Sequence, residues 1–375
     1  MTTTGSARTP TPARIAESGG PALREVVSRL PGYVAGRRAA SVLTAALASN
    51  ESHEEPLPSV LEAVLQGAGG INRYPDIAAV GLRERIAAFV EADAAEVAVG
   101  PGSVGVLQQI LAATCGPGDE VVFAWRSFEA YPILVSLTGA TPVPVPLGSD
   151  EGHDLEAMLG AVTERTRVVM VCSPNNPTGV AVRHDALARF VAAVPSSVLV
   201  LVDEAYVEYV GDDAGRLDAL GLFRAHANVC VLRTFSKAYG LAGLRVGYAV
   251  AHRPLAEGLR RVALPFGVNS LAQRAAIASL DAAEEVRERA AAVGRERRRV
   301  TGALRQAGWD VPESRANFIW LRAEDRLRSA LAEAFDRADV LVRAYDGDGI
   351  RITLADPETN GRVLAILGDR SAFPA

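Results

Sequence analysis

Lys237 and Arg245 stand eight residues apart in the stretch Arg233-Thr-Phe-Ser-Lys-Ala-Tyr-Gly-Leu-Ala-Gly-Leu-Arg-Val-Gly-Tyr248, which follows an apolar run. A lysine amine can attack a carbonyl compound to form a Schiff base. Arg245, the hydroxyls of Thr234 and Ser236 and nearby backbone amides can hold a phosphate within reach of the same carbonyl. Pyridoxal 5'-phosphate combines those two groups, an aldehyde and a phosphate. The plain alternative is a solvated loop lysine beside a surface ion-pair arginine, and this segment alone does not separate the two.

What must position these residues is legible further upstream. From about residue 96 to 250 the chain repeats a short β-branched run, a polar or glycine-rich turn, and an alanine-rich stretch of helical spacing. The runs Val97-Ala-Val99, Val121-Val-Phe123, Val168-Val-Met-Val-Cys172, Val198-Leu-Val-Leu-Val202, Val229-Cys-Val-Leu232 and 246–250 are apolar almost throughout. Strands buried on both faces read this way, so an α/β fold with a mostly parallel sheet covered by helices is expected. Ligands in such sheets sit at the carboxyl ends of the strands. There the sequence places Gly100-Pro-Gly-Ser-Val104, Ser173-Pro-Asn-Asn-Pro-Thr-Gly179, Asp203-Glu-Ala-Tyr206 and the Lys237 segment. Four polar turns on one edge define a candidate site.

Length and composition bound what that site can be. A chain of 375 residues predicts two domains. Expected are a disordered leader over 1–22, an N-terminal segment over 23–57 that joins the small domain, a large domain over 58–254, and a smaller α+β domain over 255–375. Hydrophobic residues make up 49% and charged residues 22%, with a formal net charge of −5. That balance gives no electrostatic reason for a nucleic-acid or membrane partner, and small-molecule chemistry is expected. Residues 39–48 after Arg37-Arg38 imitate a signal core but are internal and too short to span a bilayer. Cys115, Cys172 and Cys230 lie in or beside apolar stretches without metal-ligand spacing, which predicts free thiols and a cytoplasmic location. No metal is expected.

Taken in order along the chain, Leu30-Pro-Gly-Tyr-Val-Ala-Gly36, Ala48-Ser-Asn-Glu51, Asn72-Arg-Tyr-Pro-Asp76, Trp125-Arg-Ser-Phe-Glu-Ala-Tyr-Pro132 and the turns above resemble the pyridoxal-phosphate-dependent fold type I aminotransferases. Within them the chain looks most like the histidinol-phosphate aminotransferase group, in particular its actinobacterial aromatic amino acid (phenylalanine) branch. The resemblance implies that Lys237 carries the cofactor and shuttles a proton, and that Asp203 pairs with the pyridinium nitrogen. It implies Asn176 and Tyr206 at the cofactor's phenolic oxygen and Phe128 stacked on the ring, with Trp125 a competitor for that place. The phosphate would be held by Ser103 and Val104 at a helix start, by Thr234, Ser236 and Arg245, and by Tyr74 from a second subunit. A homodimer is therefore expected. Arg351 would bind the substrate α-carboxylate, Arg343 a distal anionic group, and Tyr33 and Asn50 would line the substrate pocket.

Two segments depart from the family pattern. Asn50-Glu-Ser-His-Glu-Glu-Pro56 replaces the usual Asn-Glu-Asn-Pro continuation, and Val104-Gly-Val-Leu107 stands where acidic residues usually follow the phosphate-binding serine. The second departure favours the aromatic branch. The expected reaction is thus transfer of an amino group from phenylalanine or a related aromatic amino acid to 2-oxoglutarate by a ping-pong mechanism. The alternatives are a histidinol-phosphate aminotransferase, a pyridoxal-phosphate lyase or decarboxylase, and a non-catalytic regulator.

Overall fold

A computed structural model describes residues 23–30, 32, 44–211 and 215–374. Seven strands form its main sheet: β2 (Val97–Gly100), β3 (Glu120–Trp125), β4 (Thr141–Pro146), β5 (Thr166–Cys172), β6 (Leu199–Asp203), β7 (Val229–Thr234) and β8 (Gly247–Val250). Their order is β2-β8-β7-β6-β5-β3-β4, and only β8 runs antiparallel to its neighbours. The mostly parallel, doubly covered α/β sheet expected from the apolar runs is what the chain forms. One apolar cluster fills one face and a second the other, because the inner strands send apolar side chains alternately to both sides.

β4 was not among the expected strands. Its sequence, Thr-Pro-Val-Pro-Val-Pro, alternates proline with apolar residues and reads as a breaker. It forms at the outer edge of the sheet, the place where a strand can lack N–H donors on its free side. After the main sheet the chain forms two consecutive helices, Ser270–Asp281 and Ala283–Gln306, divided at Ala282.

Two smaller sheets complete the described chain. β9 (Phe318–Arg322), β11 (Arg343–Tyr345) and β12 (Gly349–Thr353) form an antiparallel sheet, and β1 (Ala45–Ala46) pairs in parallel with β10 (Val340–Leu341). A third apolar cluster, including Phe318, Leu331, Phe335, Ile350 and Ile352, lies here. The strand β1 therefore carries Ala48, Ser49 and Asn50 from the start of the chain to the C-terminal elements. Among the described residues no helix is long and apolar enough to cross a membrane. Cys115, Cys172 and Cys230 are free thiols.

Candidate active site

The strand ends converge as the sequence predicts. At one edge of the sheet β2 ends at Gly100, β6 at Asp203 and β7 at Thr234, while the reversed strand β8 begins at Gly247, paired with both Gly100 and Thr234. Above this edge opens a cleft. Thirteen of the fifteen residues singled out from the sequence line it: Asn50, Ser103, Val104, Phe128, Asn176, Asp203, Tyr206, Thr234, Ser236, Lys237, Arg245, Arg343 and Arg351. Tyr74 does not. It is 82% exposed on the outside of the molecule, stacked on Phe266 with ring centroids 4.5 Å apart. Tyr33 lies outside the described residues.

One end of the cleft is built for a dianion. The helix α4 (Gly102–Thr114) starts there without a side-chain cap, so the first-turn amides of Ser103 and Val104 have no intrahelical partner. Unpaired amides and the positive end of the helix dipole attract phosphate. Close approach is set by two glycines: a Cβ at Gly102 would stand 2.4 Å from the Arg245 guanidinium, and one at Gly247 would stand 2.4 Å from the Ser103 amide nitrogen. Arg245 Nη1 donates to Ser236 Oγ at 3.3 Å and to the Ala242 carbonyl at 2.9 Å. One cation, two hydroxyls and two amides thus line this end of the cleft, a set that suits a phosphate.

At the base of the cleft lies a carboxylate. Asp203 ends β6 and is buried; its Oδ2 accepts from Tyr131 Oη at 2.6 Å and its Oδ1 from the Ala205 amide at 3.2 Å. Burial pushes its pKa up to about 6, with the two hydrogen bonds opposing the rise. The group stays ionised at neutral pH and is ready to pair with a cationic ring nitrogen. Tyr131 was missed in the sequence reading. It belongs to α5 (Ala130–Thr138), three positions after Phe128, and packs edge-on against that ring at 5.6 Å.

Lys237 projects between the two ends. Its Nζ donates to the Ser49 carbonyl at 3.0 Å, and no carboxylate pairs with it among the described residues. Burial lowers its pKa to about 7, helped by the nearby charges of Arg351 and Arg245 and opposed by Glu51. A substantial fraction is therefore neutral amine at physiological pH, the form that attacks carbonyls and accepts protons. This disposes of the surface-lysine alternative.

Hydrogen bonding around Tyr206 is directional. Thr353 Oγ1 donates to Asn50 Oδ1, and Asn50 Nδ2 donates to Tyr206 Oη, both at 3.0 Å. With its oxygen already accepting, Tyr206 turns its own proton into the cleft. Asn50 is 1% exposed, and its carboxamide bridges Thr353 and Tyr206 at the wall of the cleft. Asn176 Oδ1 accepts from Arg351 Nη1, and Arg351 Nη2 donates to the Ala48 carbonyl at 2.6 Å. That leaves Arg351 Nε buried without a partner, a donor reserved for something else. Of Phe128 and Trp125 it is Phe128 that lines the cleft; Trp125 packs against Phe123 and under the Arg126 guanidinium. Ser127 Oγ donates to Asn175 Oδ1 at 2.8 Å, which fixes the Phe128 loop against the 173–179 turn.

Comparison with known proteins agrees with this geometry. The sequence model of "Aminotransferase class I and II" matches residues 45–367. The chain belongs to this family. The aminotransferase fold and chemistry follow, as does the cofactor that the cleft fits, pyridoxal 5'-phosphate. The chain is similar to the aromatic amino acid aminotransferase of Streptomyces avermitilis, 51% identical over 348 residues that cover 92% of this chain and 96% of that protein. The aromatic amino acid aminotransferase of Mycolicibacterium vanbaalenii is 52% identical over 342 residues, 91% of this chain and 96% of its own. Among solved structures, the histidinol-phosphate aminotransferase from Sinorhizobium meliloti in complex with pyridoxal 5'-phosphate superposes with a TM-score of 0.85. That match has 27% identity and covers 95% of this aminotransferase and 100% of the other.

Proposed function

We propose that this aminotransferase moves the amino group of an aromatic L-amino acid, phenylalanine foremost, to 2-oxoglutarate, giving the aryl 2-oxo acid and L-glutamate in a ping-pong sequence. One observation carries the chemistry: a partly buried lysine held near neutrality between an anion cradle and a buried carboxylate. The substrate rests on the names of relatives half identical over more than nine tenths of the chain.

Pyridoxal 5'-phosphate, when bound, supplies an aldehyde and an electron-accepting ring. Ser103, Val104, Thr234, Ser236 and Arg245 would hold its phosphate, Phe128 would cover one ring face, and Asp203 would keep the ring nitrogen protonated. Asn176 and Tyr206 would donate to the phenolic oxygen. Lys237 would carry the cofactor's aldehyde carbon, and its amine, when free, would take up and return the proton at the substrate α-carbon. Arg351 orients the α-carboxylate through its forked guanidinium, including the unpartnered Nε, and so sets the α-hydrogen facing Lys237.

A homodimer in the cytoplasm completes the reading. Tyr74 is exposed and stacked on Phe266, and Leu61, Leu65, Ile71, Ile77 and Leu264 are exposed as well, apolar surface of the kind that a second copy would cover. Seated against a second copy, that surface would bring Tyr74 to the partner's phosphate cradle. The division into a leader, a large domain over 58–254 and a small domain over 255–375 belongs to the same reading.

The deciding experiment is a substrate panel. Purified enzyme is assayed with phenylalanine, tyrosine and histidinol phosphate, each against 2-oxoglutarate. The highest kcat/KM is expected with phenylalanine or tyrosine; a marked preference for histidinol phosphate overturns the aromatic assignment.

A further inference from the structure

Two arginines face the substrate end of the cleft, and they differ in charge balance. Arg343 on β11 and Arg351 on β12 are register partners across the antiparallel pair, and both guanidinium groups lie against the Tyr345 ring, at 5.4 and 5.8 Å from its centroid. Arg351 bonds an amide oxygen and a carbonyl, both neutral, and no carboxylate pairs with it among the described residues. Its positive charge remains available to a substrate anion. Arg343 is different. Its Nη2 donates to both carboxylate oxygens of Glu129, at 2.9 and 2.8 Å, and the two side chains are only 12% and 27% exposed.

We propose that Glu129 is a specificity-determining residue: a resident carboxylate that neutralises Arg343 while an uncharged aromatic side chain occupies the pocket and is displaced by a substrate's own side-chain carboxylate. The inference rests on the aromatic amino acid and 2-oxoglutarate reading above. A ping-pong enzyme with that pair of substrates must accept an apolar ring and an anion in one pocket. An unneutralised Arg343 would suit the anion and oppose the ring, since a desolvated unpaired cation is costly. A permanently neutral pocket would suit the ring and forgo the anion. A carboxylate on a neighbouring loop, paired but still partly solvated, lets the same arginine serve both.

Glu129 is placed for this exchange. It follows Phe128 and immediately precedes α5, on the loop that Ser127 and Asn175 hold against the turn below. The loop is also joined to the β11–β12 connection by Arg126, whose Nε donates to Asp348 at 2.6 Å. Glu129 can therefore release Arg343 without freeing the loop. The same carboxylate disfavours a phosphomonoester side chain, because a dianion entering beside Glu129 meets like charge before it gains Arg343.

The test uses the holoenzyme and its E129Q, R343Q and doubly substituted forms. Dissociation constants are measured for maleate, a dicarboxylate, and for 3-phenylpropionate, an aromatic monocarboxylate, by titrating the absorbance of the bound cofactor. E129Q is expected to bind maleate about tenfold more tightly and 3-phenylpropionate about fivefold more weakly. R343Q should weaken both ligands, since it removes the partner of the second carboxylate and leaves Glu129 unpaired beside the ring, and the double variant should restore binding of the aromatic ligand because it removes both charges together. A structural role for the ion pair alone would move both ligands in the same direction in E129Q, and that result overturns the proposal, as does a maleate-to-phenylpropionate ratio unchanged within about twofold. Activity of the wild type with phenylalanine tests the substrate assignment, whereas the wild-type-to-variant ratio tests Glu129, so the two fail separately.

Discussion

At the scale of single residues, the site holds groups in protonation states that folding by itself opposes. Asp203 is raised to about 6 and Lys237 lowered to about 7, each chiefly by burial. For Asp203 the unfolded chain ionises first, so its contribution falls as pH rises from the usual carboxylate range through 6 and stays unfavourable above it. For Lys237 the unfolded chain binds more protons between about 7 and the usual lysine range, so stability of the cofactor-free chain is lowest below 7 and recovers as pH rises through that window. Asp203→Asn is accordingly expected to stabilise the cofactor-free protein at pH 7 by up to about 3 kcal/mol, from a shift of roughly two pKa units. The same change should abolish transamination; thermal unfolding of cofactor-free protein and a single-turnover assay check both halves. The relay through Asn50 gives a second outcome. Asn50→Ala lets the Tyr206 hydroxyl rotate away, which removes about 1 kcal/mol of hydrogen bonding to the cofactor's phenolic oxygen. Spectrophotometric pH titration of the holoenzyme should show the cofactor's transition shifted upward by somewhat less than one unit.

At the scale of elements, the cradle depends on how closely β8 and the start of α4 approach. Gly247→Ala would force a methyl group to within 2.4 Å of the Ser103 nitrogen, and backbone cannot yield as a flexible side chain does. Overpacking of this kind costs about 1–3 kcal/mol, and displacement of the α4 amides should weaken cofactor binding as well. Equilibrium dialysis with the cofactor, alongside thermal denaturation, would register both effects; unchanged affinity would mean that the amides take no part in phosphate binding. Elements also explain what the sequence disclosed. The buried strands were legible because double coverage demands unbroken apolar runs, and the turns after them because polar residues following such runs sit at the sheet edge. β4 was not legible, since proline at alternate positions has meaning only once an edge is known. Tyr131 and Glu129 were equally hidden. In sequence one is an aromatic residue on an apolar helix and the other an acid ahead of a helix start, an ordinary use of a carboxylate. Their partners, Asp203 and Arg343, lie 72 and 214 residues away.

At the scale of the whole molecule, the exposed apolar surface that includes Tyr74 predicts shared sites between two copies. Replacing Tyr74 by Phe should weaken cofactor binding roughly ten- to a hundredfold, the loss of one hydrogen bond to a charged oxygen. A mixing experiment separates this from a local defect. Tyr74→Phe and Lys237→Ala subunits, each impaired alone, should regain part of the activity when refolded together, because one site in each mixed dimer then has both residues intact. Sedimentation at several concentrations would establish the assembly directly.

Finally, the strand β1 binds the beginning of the chain to its end. Ala48 and Asn50 are bonded to Arg351 and Thr353, each pair 303 residues apart in sequence. During synthesis the sheet and phosphate cradle are complete once Val250 has emerged, whereas the carboxylate anchor waits for the last strand. A nascent chain should thus become able to retain its cofactor well before it can recognise an amino acid, so that loading precedes any possibility of turnover.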